Sequence, residues 1–93
     1  MGIDFEWDIH KAQTNARKHG VSFEEAATVF GDPLSLTIHD PLHSRSEDRF
    51  VTTGQSVRGR LLVVIHTDRG DDIRIISARK VVRHERNAYE TKN

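Results

Sequence analysis

An α+β domain with two N-terminal helices, a four-stranded antiparallel sheet and a C-terminal helix is predicted by three features of the sequence. Two short segments before residue 33 carry helix-capping signals. The hydrophobic period then changes from helical to alternating, and an apolar strand near the end runs directly into an arginine-rich helix. The size fits one domain over residues 1–93, because 93 residues with 35% apolar content supply a single core that buries about 60–65% of the unfolded surface.

The elements follow in order. Asp8 suits a helix N-cap and Gly20 a C-terminal stop, with Lys18 and His19 in the last turn where cations complement the dipole, so a first helix is expected over about residues 8–19. Ala12 and Ala16 give it a thin apolar stripe, and Trp7 is available to cover its start. Ser22-Phe23-Glu24-Glu25 has capping-box spacing: Ser22 serves the amide of Glu25, the Glu25 side chain reaches back, and Val21 with Ala26 forms the staple. This second helix runs to about Phe30, where Gly31-Asp32-Pro33 stops it.

Leu34, Leu36 and Ile38 alternate with Ser35 and Thr37, the pattern of a half-buried strand. Residues 39–46 read as a polar loop, 50–55 as a second strand, and Arg58-Gly59 as a turn. Residues 61–66 are apolar on both parities and should form a central strand covered on both faces. The turn cluster at residues 68–71 leads into a last strand over 73–76, so the strands connect as successive hairpins.

Composition narrows the chemistry. The absence of cysteine excludes disulfides, a thiolate nucleophile and thiolate-ligated zinc, and suits a reducing cytoplasm. No apolar run approaches the ~18 residues that span a bilayer, and the first residues lack the basic start and apolar stretch of a signal peptide, so a cytoplasmic protein without a membrane partner is expected. The net charge of zero argues against a simple nucleic-acid binder. It conceals an asymmetry: residues 1–48 hold four Lys/Arg against nine Asp/Glu, a net of −5, and residues 49–93 hold ten against five, a net of +5. The second half either attracts anions or merely solvates a surface that is 30% charged. Its arginines, with Tyr89, fit a phosphate-rich partner such as RNA.

The chain resembles the BrnT toxins of bacterial type II toxin–antitoxin systems. The resemblance rests on Trp7-Asp8 with Lys11 and Asn15, on Lys18-His19-Gly20-Val21-Ser22-Phe23 with Ala26, Phe30 and Asp32, on Glu47 with Arg49, on Gly59-Arg60, and on the run 74–79 (Arg-Ile-Ile-Ser-Ala-Arg) with Glu85-Arg86 and Tyr89. It implies a RelE-like fold, cleavage of RNA without metal or other cofactor, inhibition of translation, and neutralisation by a BrnA-type ribbon–helix–helix antitoxin. Operator DNA would be bound only through that antitoxin. A dimeric antitoxin would also bring two toxin copies into a heterotetramer or larger assembly.

Metal-free cleavage needs a base for the 2′-hydroxyl, cations for the charge on the phosphorane, and an acid for the leaving 5′-oxygen. Glu47 is the candidate base, with Arg49 two residues on to orient it; the alternative is an ordinary loop carboxylate. Arg60, Arg74 and Arg79 are candidates to clamp the phosphate, or else salt-bridge partners of Asp71, Asp72 or Glu85. In an unbroken strand Arg74 and Arg79 face opposite ways. The conflict is resolved if Ser77 caps the last helix, which would place Arg79 in its first turn and line Arg79, Arg83 and Arg86 along one basic stripe. Tyr89 shares an apolar stripe with Val82, and is either a core ring or a stacking or proton-sharing group.

Lys11, Lys18, His19, Arg60, Arg83 and Arg86 are further candidate RNA contacts, although His19 equally suits a helix C-cap. His39 and His43 have ligand-like spacing, but Pro41 between them opposes the helix it requires. Two classes therefore remain: an RNA-cleaving enzyme, or an interaction module that only binds a protein partner in an autoregulatory complex.

Overall fold

The computed structural model describes residues 3–40 and 48–92. In chain order these form β1 (Asp4–Glu6), α1 (Ile9–His19), α2 (Phe23–Thr28) with a 3-10 turn at Val29–Gly31, β2 (Leu36–Asp40), β3 (Arg49–Gln55), β4 (Leu61–Arg69), β5 (Asp72–Lys80) and α3 (Arg83–Lys92). Among the described residues the sheet has five strands in the order β1-β5-β4-β3-β2. It is mixed: β2 to β5 are antiparallel neighbours, whereas β1 lies parallel to β5. The expected four-stranded antiparallel sheet is thus extended by a three-residue strand, too short to show alternation, that joins through long-range pairing of Phe5 with Ile73 and Glu6 with Arg74.

Local signals place the helices. The Asp8 carboxylate accepts from the amides of His10 and Lys11, and Gly20 closes α1 in the left-handed region at φ 69°. Ser22 caps α2 by accepting from the Glu25 amide at 3.0 Å. The α1 stripe differs from the expected Ala12–Ala16 pair, because Ala16 is exposed and the inward positions are Ala12, Asn15 and His19.

The core lies between the helices and one face of the sheet. Val21, Phe23, Ala26 and Val29 pack against Leu62 and Val64 of β4 and Ile73, Ile75 and Ala78 of β5. Trp7 sets its edge on Phe23, with ring centroids 5.9 Å apart. At Gly54 a Cβ would lie 2.8 Å from Val29 Cγ1, so glycine there is what lets the 3-10 turn sit directly on β3. β4 is central and buried on both faces, as expected. β2 is less covered than its alternation predicts: as the edge strand it leaves Ile38 64% exposed.

Two features of β5 shape everything downstream. Ser77 pairs with Ile65 and Ile75 with His66, so Ile76 has no partner and the strand is bulged there. Beyond the three pairs with β1, the outer edge of β5 is served by a side chain. Asn15 Nδ2 donates to Ala78 O (2.8 Å) and Val21 O (2.9 Å), and Asn15 Oδ1 accepts from Ala78 N (3.0 Å). Asn15 therefore replaces a missing strand and ties α1 to the sheet. Asn15→Ala strands buried backbone groups, each worth about 1–3 kcal/mol when unsatisfied, and is expected to lower stability by about 3 kcal/mol in urea unfolding; a loss below about 1 kcal/mol would contradict this role.

Candidate functional site

Cross-strand partners share a sheet face, so the register assigns every side chain. The helix-facing side carries Leu62, Val64, His66, Ile75 and Ala78. The opposite face carries Leu61, Val63, Ile65 and Thr67 of β4 with their partners Arg79, Ser77 and Arg74 of β5 and Gln55, Thr53, Val51 and Arg49 of β3. The bulge, not a helix cap at Ser77, brings Arg74 and Arg79 to the same face. β5 runs on to Lys80 and α3 begins at Arg83, which places Arg79 on a strand and dissolves the expected Arg79–Arg83–Arg86 helical stripe.

One row of this open face crosses all five strands. Asp40 pairs with Arg49, Arg49 with Thr67, Thr67 with Arg74, and Arg74 with Glu6. Two strand spacings separate the two arginines, about 10 Å between Cα atoms, a span their long side chains can close. Arg74 Nη1 lies 3.5 Å from Glu6 Oε1, which Arg69 Nη1 also approaches at 3.6 Å. Both arginines are half-buried. Thr67 between them is 1% exposed; a threonine inside an apolar strand looks like packing, so nothing in the residue order singles it out.

The other predicted arginines are committed elsewhere. Arg79 is four β4 positions from this row, about 13 Å along the strand, too far to clamp the same phosphate. Its guanidinium forms a two-pronged bridge to Glu85, Nη1 to Oε1 and Nη2 to Oε2, both 2.8 Å. Glu85 Oε1 also accepts from the Val82 amide at the start of α3, and the Arg79 bridge holds the Glu85 carboxyl below its usual range. Tyr89 Oη donates to Asp32 Oδ2 at 2.6 Å. That bond, with burial, pushes its pKa up to about 12. Tyr89 is half-buried on the same side of α3 as Glu85, so these two anchors dock the helix.

Arg60 is tied to Glu25, which is 5% exposed. Arg60 Nε donates to Glu25 Oε2 (2.9 Å), Nη2 to Oε1 and to Gly20 O (3.1 Å), and Ser56 Oγ donates to Oε2 (2.7 Å). Glu25 therefore holds a hairpin 31–35 residues away instead of closing its own capping box. These bonds, Arg60 first, outweigh burial and depress its pKa to about 2.

Lys11, Lys18 and His19 line a shallow cleft of about 310 Å³ between α1 and Ile76-Ser77 of β5, with His10, Thr14 and Asn15. Arg83 and Arg86 are exposed on α3, Arg86 lying 3.7 Å from Glu90. Glu47 and His43 lie outside the described residues. His39 Nε2 is 3.1 Å from Asp48 Oδ1. A chain runs from Thr37 through Thr52 and His66 to Asp68, with Thr52–His66 at 2.7 Å and His66–Asp68 at 3.0 Å. It has the order of a nucleophilic triad, but Thr52 is fully buried and His66 sits between Phe30 and Phe50. Burial lowers the His66 pKa against the pull of Asp68, and with Thr52 sealed from solvent the chain is a packing network of the core.

The architecture is that of a small α+β domain with a row of charged side chains crossing one face of a five-stranded mixed sheet. Residues 7–85 match the family model described as the ribonuclease toxin, BrnT, of type II toxin–antitoxin systems, and the chain belongs to that family. Its fold is similar to the crystal structure of the Brucella abortus ribonuclease toxin BrnT, with a TM-score of 0.63 at 23% identity over 87% of this chain and 99% of that one. Among curated proteins none matches at a significant level. No helix among the described residues is long and apolar enough to cross a membrane.

The Glu25 network yields a prediction. Removing one partner of a buried ion pair costs about 3–5 kcal/mol, so Arg60→Ala is expected to destabilise strongly, whereas Arg83→Ala stays within about 0.5 kcal/mol. Because the folded pKa of Glu25 lies below the unfolded 4.5, its stabilisation is present above pH 4.5 and is lost as pH falls through about 2. Thermal melts from pH 7 to 2 should show Arg60→Ala losing less than wild type to acid; parallel acid losses would contradict the assignment.

Proposed function

We propose that this chain is an endoribonuclease toxin that cleaves RNA without a metal and inhibits translation, acting at the open sheet face where Arg49 and Arg74 stand in register on either side of Thr67. The observation that carries this reading is the five-strand row itself. It brings two guanidinium groups into register on either side of one hydroxyl, whereas Arg60 and Arg79 each grip a carboxylate in a two-pronged bridge. Each guanidinium offers a planar fork of donors suited to phosphate oxygens.

In the reaction the 2′-oxygen attacks phosphorus, forming the P–O2′ bond as the P–O5′ bond breaks, and water protonates the departing 5′-oxygen. The base assigned to the 2′-hydroxyl proton is Glu47, two residues from Arg49 in sequence. Arg49 and Arg74 stabilise the extra negative charge on the phosphorane oxygens, and that charge is where a preorganised cation has most effect. Tyr89 takes no part in proton transfer here, since its proton is bound to Asp32. Lys11, Lys18 and His19 supply a flanking contact for the RNA backbone along the α1–β5 cleft, and Arg83 and Arg86 a looser one on α3. The protein is read as cytoplasmic, and a BrnA-type antitoxin neutralises it by laying an acidic segment over the arginine row.

Arg74→Ala should reduce cleavage of a mixed RNA by about 10²–10³-fold with the fold retained in circular dichroism melts, and EDTA should leave wild-type cleavage unchanged. Arg79→Ala should instead lower the melting temperature by undocking α3. Equal cleavage by wild type and Arg74→Ala, or EDTA-sensitive cleavage, would transfer the lead to a non-catalytic interaction module. With a dimeric antitoxin, light scattering of the co-expressed pair should give a heterotetramer or larger, and a 1:1 heterodimer would contradict that assembly.

A further inference from the structure

The open-face row contains a group that the fold does not use. Thr67 is 1% exposed, and its Oγ1 has no hydrogen-bond partner among the described residues. A buried hydroxyl without a partner is a net cost to folding, and valine has nearly the same shape. The neighbouring buried threonine shows the usual arrangement: Thr52 Oγ1 bonds both Thr37 and His66 at 2.7 Å. Thr67 differs from Thr52 in facing the other side of the sheet, directly between Arg49 and Arg74. Its neighbours there have donors in plenty and carboxylates at the far ends of the row, Asp40 and Glu6. A lone hydroxyl flanked by two guanidinium groups is the donor set for a tetrahedral anion, with two forks from the sides and one short donor from below.

We propose that Thr67 is a phosphate ligand: its hydroxyl donates to a non-bridging oxygen of the RNA phosphate held by Arg49 and Arg74. This inference rests on the proposed location of the site and adds the residue at its floor. In the RNA-free protein the hydroxyl is buried between the two arginine positions. The phosphate draws the guanidinium groups upward onto its own oxygens, uncovers Oγ1 and gives it the acceptor it lacks. The bound anion thereby gains a hydrogen bond whose desolvation cost the fold has already met. Glu6 holds Arg74 from the opposite side, at 3.5 Å, which keeps that guanidinium on the face while no RNA is bound.

The test pairs Thr67→Val with Thr67→Ser and uses Arg74→Ala as reference. Cleavage of a defined RNA is measured alongside fluorescence-anisotropy binding of the same oligonucleotide with 2′-O-methyl groups, which cannot be cleaved, and inorganic phosphate serves as competitor. Thr67→Val is expected to melt at or above the wild-type temperature while cleavage and binding both fall about 10- to 100-fold, the worth of one hydrogen bond to a charged group. Thr67→Ser, which restores a hydroxyl, should return cleavage to within a few-fold of wild type, and inorganic phosphate should inhibit wild type more strongly than Thr67→Val. Wild-type cleavage and binding by Thr67→Val would overturn the inference. So would a marked drop in its melting temperature, since the hydroxyl would then have a structural role. Loss of activity in Arg74→Ala with none in Thr67→Val sinks the inference alone, whereas full activity in Arg74→Ala sinks the location of the site.

Discussion

A strand alternates its side chains with a period of two, so β5 can bury Ile73 and Ile75 on the helix side, or Ala78, but not all three unless the alternation breaks once. The break is the bulge at Ile76. With it, Ala78 reaches Asn15, Ile75 reaches the core, and Arg74 and Arg79 both turn to the opposite face. Without it, either α1 loses its tie to the sheet or one arginine is driven into the core. The attachment of the helices and the charge on the open face are thus consequences of one unpaired residue.

The same economy governs the charges. Ten of the fourteen Lys/Arg side chains lie after residue 48, yet several of them have a fixed internal partner. Arg60 answers Glu25 beneath the hairpin, Arg79 answers Glu85 at the start of α3, and Arg74 shares Glu6 with Arg69. The first two pairs are two-pronged and hold helices in place. The Arg74–Glu6 contact is longer, at 3.5 Å, between half-exposed side chains, and on the proposed reading it is the one an incoming phosphate displaces. A neutral protein can in this way still present a local cationic site.

The helices were legible because their signals are local. Asp8, Gly20 and Ser22 act within a few residues of themselves, and each does what its spacing implies. β1 was not legible, since three residues carry no period and its partner lies about seventy residues away. The bulge announced itself only as a conflict of parity between Arg74 and Arg79, which a helix cap at Ser77 resolved on paper and an unpaired Ile76 resolves in the structure. Glu25 has capping-box spacing, but its carboxylate serves Arg60, a contact no local pattern reveals. Arg49 and Arg74 could be picked as arginines near an apolar strand; that Thr67 lies between them depends on the register of three strands. Glu47 lies outside the described residues, and its role rests on its place in the sequence.

The central claim is that RNA phosphate is held on the sheet face opposite α1 and α2, across Arg49, Thr67 and Arg74. Nitrogen-15 NMR of the arginine Nε and backbone amides during titration with a 2′-O-methyl RNA tests it most directly. The account predicts saturable shifts at Arg49 and Arg74 Nε and at the Thr67 amide that weaken with salt, while Arg60 Nε and the amides of Val21 and Phe23 stay still. Shifts confined to the α1 cleft, or to the Arg79–Glu85 anchor, with the arginine row unmoved, would contradict it.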